Sequence, residues 1–274
     1  MAVLAAVAPF GFSFDPVRLL LAYRQAGIAT AQFYRNETSP PTVAEALKAA
    51  KQTGVRFDSI HGVFGYHLDP SSDDPRHRAI CLEVYEAEGR LACDLGGPMV
   101  VVHPSAWNPA MRTMSLAEVE ASSTARWPGF LEFMHQLADV GKRLGVVYLI
   151  ENQITNCPLG HDPIVMARHI AAVNSPAIRM CFDAGHAHIT GDVVAALREA
   201  APVIGYFHIH DNDGRQDDHR MPGDGTIDWS AFADTLKATG NQAPRMLEVF
   251  YDEARVEDLV RRGLKSRLVE ALAP

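Results

Sequence analysis

Short apolar runs alternate with longer amphipathic segments along the whole chain. Residues 99–103, Met-Val-Val-Val-His, form a run typical of parallel strands that are covered on both faces. Residues 16–26 instead place their apolar side chains at helical spacing, directly after the helix-starting pair Asp15-Pro16. The pattern therefore predicts strands and helices in alternation.

Eight such strand and helix pairs follow one another. The predicted strands are residues 3–8, 28–34, 55–61, 99–103, 146–151, 178–183, 205–210 and 245–251. The predicted helices are residues 16–26, 42–53, 73–95, about 115–144, 162–173, 191–200, 230–239 and 253–272, with a kink or a new start at Trp127-Pro128-Gly129.

Eight alternations in about 250 residues predict a closed (β/α)8 barrel, a TIM barrel. We expect a single domain spanning residues 1–274, because no linker-like stretch divides the chain. An open, doubly wound sheet is the alternative. It is disfavoured because the turn at residues 10–14 lacks the glycine-rich phosphate-binding pattern usual in such folds.

The predicted strands from the third to the eighth carry a polar side chain at or near their carboxyl ends, where barrels of this kind hold their active sites. These side chains are His61, His103, Glu151, Asp183 with His186 just beyond it, His208 and His210, and Glu248. His208 and His210 project to the same face because strand side chains alternate. Each residue alone has a structural explanation, such as a hydrogen-bonded histidine. Together they predict a cluster.

Burying that many ionisable groups costs several kcal/mol each without a counter-charge, so we expect a divalent cation among them. Mixed carboxylate and imidazole donors suit Mn²⁺, Mg²⁺, Co²⁺ or Zn²⁺ alike. The acidic loop at residues 211–219, which contains Asp217 and His219, adds further donors.

The overall charge argues against a nucleic-acid partner. The chain has 33 acidic and 25 basic residues, a formal net charge of −8, which repels a polyanion. The four cysteines form no C-x-x-C pair, which disfavours a thiolate metal site. No apolar run reaches the roughly 18 residues of a membrane span, and the apolar start lacks the features of a signal peptide. We expect a cytoplasmic protein. Its oligomeric state cannot be predicted.

These motifs resemble the xylose-isomerase-like barrels, a family that includes sugar isomerases and epimerases and the family-2 apurinic endonucleases. The resemblance covers residues 56–251 and rests on Leu149-Ile150-Glu151-Asn152, Phe182-Asp183-Ala184-Gly185-His186, His208-Ile209-His210-Asp211 and Leu247-Glu248-Val249. In the epimerase branch, the resemblance implies one divalent metal ion held by Glu151, Asp183, His208 and Glu248, with His186 contacting substrate.

The endonuclease branch uses three zinc ions, and its additional ligand positions are matched here by His61, His103, His186 and Asp217-Asp218-His219. Additional zinc sites therefore remain open, although we expect Asp217 and His219 to order the loop rather than to bind metal. Two positions depart from the epimerase pattern. Strand two reads Ala31-Gln32-Phe33-Tyr34 where an acidic residue is common, and Cys157 stands where a second glutamate is common.

Our hypothesis is a metal-dependent isomerase or epimerase that acts on a small sugar or a similar keto or polyol compound through an enediolate. Glu151 and Glu248 would exchange the proton as base and acid, and His186 would assist. We assign His61, His103, His210, Arg215 and Trp107 to substrate contact. Phe12, Phe64, Tyr66, Trp107 and Phe250 are candidates for an apolar wall against the sugar.

Three alternatives remain open from the sequence. The first is a zinc phosphodiesterase like the family-2 apurinic endonucleases. The second is a lyase or dehydratase on the same scaffold, since proton abstraction is common to both reactions. The third is a catalytically silent barrel that binds a metal or a ligand.

Overall fold

Eight parallel strands close into a barrel in the order β1 to β8. The computed structural model describes residues 3–13, 15–65, 67–155, 157–249 and 261. The strands are Leu4–Phe10 (β1), Thr30–Arg35 (β2), Arg56–His61 (β3), Met99–Val102 (β4), Val147–Glu151 (β5), Ile178–Asp183 (β6), Ile204–Ile209 (β7) and Arg245–Leu247 (β8). The predicted (β/α)8 barrel is confirmed.

Helices follow the strands around the outside of the barrel. They are Pro16–Gln25 (α1), Val43–Thr53 (α2), Pro75–Leu95 (α3), Leu116–Leu144 (α4), Pro163–Val173 (α5), Ala184–Thr190 (α6), Val193–Ala200 (α7) and Trp229–Thr239 (α8), with a short 3-10 helix at Pro109–Thr113. The predicted final helix at 253–272, except for residue 261, lies outside the described residues, as do the end of the eighth predicted strand, Tyr66 and Phe250.

Local sequence signals set the helix ends. Thr42 and Glu45 form a capping box at the start of α2, and Ser115 and Glu118 do so at the start of α4. Gly54 ends α2 with a φ of 68°, in the left-handed region that costs glycine little. These ends agree with the sequence prediction to within a few residues.

The helix α4 runs through Pro128, so the predicted new start at residues 127–129 is wrong, and the alternative of a kink there stays a prediction. Its buried side chains Phe130, Phe133 and Leu137 pack in the main hydrophobic cluster. Proline in a helix interior removes one hydrogen bond and costs about 3 kcal/mol. Burial of three large side chains, at about 1.5–3 kcal/mol each, exceeds that cost.

Side-chain alternation along the strands separates two apolar layers. The larger cluster fills the space between barrel and helices. A smaller cluster occupies the barrel interior and contains Ala5, Val7, Val101, Leu149, Cys181, Tyr206 and Met246. Polar side chains share this interior, since the Tyr206 hydroxyl donates to Asp58 at 3.0 Å and Ser59 donates to Asp58 at 2.8 Å. The first of these hydrogen bonds joins β7 to β3 across the barrel interior.

No helix in the part of the chain that the structure describes is both long and apolar enough to cross a membrane.

Candidate metal centre and active site

Four donors from neighbouring strands converge at the carboxyl end of the barrel. Glu151 ends β5, Asp183 ends β6, His208 lies near the end of β7, and Glu248 follows β8. All four are buried, and each offers a ligand atom within 4.8 Å of the others. This is the set that the sequence resemblance assigned to one divalent ion.

The contacts within this set test whether a cation fits. The Nδ1 atom of His208 lies 2.6 Å from Oε1 of Glu151 and 2.8 Å from Oε2 of Glu248. One ring nitrogen carries at most one proton, so it cannot donate fully to both carboxylates. Three buried carboxylates facing one imidazole also leave excess negative charge in a dry site. A divalent cation satisfies both conditions, and the donor set fits one.

Electrostatics within the cluster keep the carboxylates of Glu151 and Glu248 ionised. Burial by itself would raise the pKa of Glu151, but His208 and His103 hold it well below its ordinary value. Burial is likewise outweighed at Glu248, where His208 brings the pKa to about 2. His208 has its pKa raised well above 6.5 because, despite burial, its interactions with Cys181 and with the charges of Glu248 and Glu151 favour its protonated form. The site therefore attracts positive charge.

Glu151 faces a second group of donors with its other oxygen. Its Oε2 lies 2.9 Å from Nε2 of His103 and 3.7 Å from Nε2 of His61. The three residues also meet the spacing of a metal-ligand group. The ring of Phe64 covers this pair, with centroids 4.4 Å from His103 and 5.1 Å from His61.

A third group forms around Asp217. Its Oδ2 lies 3.2 Å from Nε2 of His186 and 3.2 Å from Nε2 of His219. Burial opposes the ionised form, yet His186 keeps the pKa of Asp217 far below its ordinary value. The bond to Asp217 and the charge of Glu248 outweigh burial at His219 and raise its pKa to about 9. That Asp217 and His219 order the loop rather than bind a metal ion stays a prediction.

Asp211 anchors the loop that carries Asp217 and His219. Its buried carboxylate accepts hydrogen bonds from the backbone N–H groups of Asn212, Gly223, Gly225 and Ile227 and from the indole N–H of Trp229. A side chain at Gly225 would meet Asp211 Oδ1 at 2.3 Å, so glycine is required there. The acidic loop is thus ordered by one of its own carboxylates.

An open cavity of about 420 Å³ lies above the donors. Its polar walls include Glu151, His186, Asp217 and Glu248, and its aromatic walls include Tyr34, Phe64 and Trp107. Phe12 stacks on Tyr34 with centroids 5.6 Å apart and extends the aromatic side. The cavity has the size of a small-ligand site in which one wall is charged and the other apolar.

Five of the residues predicted at or just beyond strand ends line this cavity, whereas Asp183, His208 and His210 do not, nor does the loop residue Arg215. His61, His103 and Trp107 line it, as do Glu151, His186 and Glu248. His210 is fully buried and lies 3.1 Å from Asp183, which it orients from behind. Arg215 is exposed and is not among the described residues that line the cavity. The geometry therefore does not support direct substrate contact by His210 or Arg215.

The short helix α6 was not predicted, although it positions His186. Asp183 ends β6 and also caps α6, accepting a hydrogen bond from the backbone N–H of His186 at 2.7 Å. Gly185 allows close packing, because a Cβ there would meet His210 at 1.9 Å. A strand that becomes a helix within one residue leaves no periodic pattern to detect.

Three further polar residues were not identified from the sequence. Gln153 donates to Glu151 Oε2 at 3.3 Å. Asn152 accepts from the backbone N–H of Asp183 at 2.8 Å and donates to its carbonyl at 2.9 Å, which joins β5 to β6. Tyr34 lines the cavity, and its pKa is raised to about 12 by burial and by Glu248. The only sequence signal for the first two was their position directly after a strand-end glutamate.

Comparisons with known proteins agree with this architecture. L-ribulose 3-epimerase of Mesorhizobium japonicum is 27% identical over 249 residues, which cover 89% of this chain and 79% of that protein. A probable endonuclease 4 of Thermoplasma acidophilum is 25% identical over 261 residues, covering 86% and 85%. The structure of a D-psicose 3-epimerase in the presence of D-fructose superposes with a TM-score of 0.77 at 18% identity and covers 100% of both chains.

The chain spans only 60% and 50% of the length of two further curated relatives, both uncharacterized proteins. A family model described as a xylose isomerase-like TIM barrel matches residues 20–268. The matched residues include every strand except β1. This chain therefore belongs to the xylose isomerase-like TIM barrel family.

Proposed function

We propose that this protein is a divalent-metal-dependent isomerase or epimerase of a small sugar or a similar keto or polyol compound. The observation that carries the proposal is the double position of Glu151 and Glu248. Both carboxylates contact His208 Nδ1 in the candidate metal centre, and both also line the cavity. A proton could therefore be taken up and returned within one small site.

The residues that would hold the ion are Glu151, Asp183, His208 and Glu248. When bound there, a divalent cation stabilises negative charge on a substrate oxygen, which makes an adjacent C–H group more acidic. Mn²⁺, Mg²⁺, Co²⁺ and Zn²⁺ all suit these donors.

Glu151 and Glu248 would act as the general base and the general acid. Burial is outweighed by neighbouring histidines, so Glu151 and Glu248 both have a pKa below the ordinary value and start as proton acceptors at neutral pH. They reach the cavity from β5 and from the end of β8. One can remove a proton from a substrate carbon and the other can return one, which is the requirement for epimerisation.

His186 is placed to bind a substrate oxygen. Its Nδ1 lies 2.8 Å from the carbonyl oxygen of Asn152, so that nitrogen donates the hydrogen bond. Although burial opposes it, the charges of Asp183 and Asp217 raise the pKa of His186 well above 6.5. Its Nε2 therefore also carries a proton, which Asp217 accepts at 3.2 Å and which a substrate oxygen in the cavity would accept in its place.

The cavity lining favours a small neutral molecule with polar and apolar faces. The carboxylates of its acidic wall can accept hydrogen bonds from substrate hydroxyl groups. The rings of Tyr34, Phe64 and Trp107 offer an apolar surface for C–H groups. The described lining residues include no lysine or arginine. We therefore propose a carbohydrate without a phosphate group as substrate. A D-psicose and an L-ribulose epimerase among the similar proteins support this class.

A second candidate function is hydrolysis of a phosphodiester by a cluster of zinc ions. The observation that favours it is the second oxygen of Glu151, which faces His61 and His103, so that these three residues would offer donors for a further ion. The relative named as a probable endonuclease 4 is consistent with it. The net charge of −8 and the acidic lining oppose binding of DNA.

Two assays on the metal-loaded enzyme distinguish the candidates. Incubation of ketoses and aldoses in deuterated water, followed by NMR, detects exchange at carbon and identifies an epimer, an isomer or a dehydrated product. Incubation with a duplex containing one abasic site detects strand cleavage. Deuterium exchange without cleavage supports the proposed function. Cleavage without exchange overturns it in favour of the hydrolase.

A further inference from the structure

A second cavity, of about 760 Å³, lies in the outer layer of the barrel between α4, α5, α6 and α7. No described residue lines both this cavity and the active-site cavity. Ala187, Ala195 and Ala196 form part of its wall, and small side chains at these positions leave the space open. Its volume is typical of a pocket for a small organic ligand.

Aromatic and imidazole side chains give this outer cavity a flat, uncharged surface. The rings of Trp127 and His169 stack with centroids 3.9 Å apart and planes 12° from parallel. The Nδ1 atom of His161 is buried and has no hydrogen-bond partner among the described residues. Burial lowers the pKa of both His161 and His169, so both are neutral at pH 7.

The charged groups around the outer cavity are all acidic. Glu120, Asp162 and Asp192 line it, and no lysine or arginine occurs among the described lining residues. Asp162 and Asp192 cap α5 and α7, whereas Glu120 is exposed on α4 and accepts no capping bond. A positive group entering the cavity would meet complementary charge, and an anion would be repelled.

We propose that the outer cavity binds a small planar organic cation, with the ring against Trp127 and His169 and the positive group towards Glu120. Binding there does not depend on which reaction the active site catalyses. Cation–π attraction and burial of a flat ring act together in such sites.

A ligand in the outer cavity would touch two segments that also shape the active site. Ala187 and Thr190 belong to α6, and Thr190 donates to the carbonyl oxygen of His186 at 3.2 Å. On the other side, Thr155 lines the outer cavity, and its neighbour Ile154 lines the active-site cavity. Residues of the same two segments therefore line both cavities.

The three tryptophans make the test site-specific. Trp127 lines the outer cavity, Trp107 lines the active-site cavity, and Trp229 bonds to Asp211. The indole N–H signals of the metal-loaded, ¹⁵N-labelled protein are assigned by single Trp→Phe variants and followed during titration with benzamidine, a planar cation. Benzoate, an anion of similar shape, is the matched probe. We expect benzamidine to shift the Trp127 signal saturably, with a dissociation constant at least tenfold below that of benzoate.

Two variants in the lining and one control outside it connect the Trp127 signal to the proposed contacts. Glu120→Gln should weaken benzamidine binding about threefold, as expected for one exposed charge, whereas Glu199→Gln, at an exposed position of α7 outside the lining, should not change it. Ala195→Phe should fill the cavity and weaken binding at least tenfold. The proposal is overturned if benzoate binds as tightly as benzamidine, if only the Trp107 signal shifts, or if Glu120→Gln and Glu199→Gln behave alike.

Discussion

The Nδ1 atom of His208 lies 2.8 Å from Oε2 of Glu248, at a carboxylate that also forms part of the cavity wall. A purely structural ion pair would have no reason to face an open cavity. A group that must both hold a cation and exchange a proton with a substrate needs both contacts. The relationship makes Glu248 the most informative single position in the site.

Glu248→Gln should preserve the fold and reduce proton transfer far more than binding. The replacement is nearly isosteric and keeps one oxygen towards the metal centre, but an amide cannot exchange the proton. General acid-base groups contribute about 10²–10⁴-fold, so deuterium incorporation into a sugar should slow at least about 100-fold in the metal-saturated variant. Glu83→Gln, on the exposed side of α3, is the control. If Glu248→Gln incorporates deuterium at the wild-type rate, Glu248 is only a metal ligand and does not transfer the proton.

Metal content should depend on Asp183 and not on His103. We expect one dominant divalent ion per chain, held by Glu151, Asp183, His208 and Glu248. Asp183→Asn should lower its affinity by tenfold or more, because a ligating charge is lost. His103→Gln should retain the ion, since His103 contacts only the outer oxygen of Glu151. Elemental mass spectrometry of each variant, purified without added metal, measures the number of bound ions per chain. Three tightly held zinc ions per chain would favour the hydrolase.

Stability of the metal-free protein should fall between pH 6.5 and pH 9.5. The pKa of His219 is about 9 in the folded chain, where the bond to Asp217 outweighs burial, against an ordinary 6.5 when unfolded. Protonated His219 therefore contributes its full stabilisation to the folded state below pH 6.5. This contribution to the free energy of unfolding, roughly 3 kcal/mol, is lost as the pH rises through 9. Urea unfolding with chelator present measures it. His219→Gln should flatten the profile, and an unchanged slope in that variant would exclude His219 as its source.

A divalent ion should reverse this pH dependence. Ligand groups must lose their protons before they bind metal, so the gain in melting temperature on adding Mn²⁺ should be larger at pH 8 than at pH 6. Scanning calorimetry with and without chelator measures the gain at each pH. A larger gain at pH 6 would count against the imidazole and carboxylate centre.

Asp58→Asn should stabilise the protein at neutral pH. Burial raises the pKa of Asp58 to about 6 although Ser59 and Tyr206 donate to it. A carboxyl group whose folded pKa exceeds its unfolded value of about 3.9 weakens the fold as pH rises from 4 to beyond 6. Asparagine keeps an acceptor oxygen and avoids the buried charge. We expect a gain of roughly 2 kcal/mol at pH 7.5 and little or none at pH 4, measured by urea unfolding; equal effects at both pH values would contradict the assigned cause.

The sequence by itself determined the barrel and most of its site. Apolar runs, helix caps and turn glycines are local signals, and eight alternating elements leave few arrangements other than closure. Closure then brings the strand ends together, so the strand-end residues predicted one cluster, and the family resemblance implied Glu151, Asp183, His208 and Glu248 as the metal ligands within it.

Only the tertiary structure decided what each side chain faces. Alternation along a strand places His208 and His210 on one side, yet Gly185 admits His210 behind Asp183 and keeps it away from the cavity. Arg215 follows the turn at Gly214 and remains exposed. Orientation and burial depend on packing between elements distant in sequence, and no local pattern encodes such contacts.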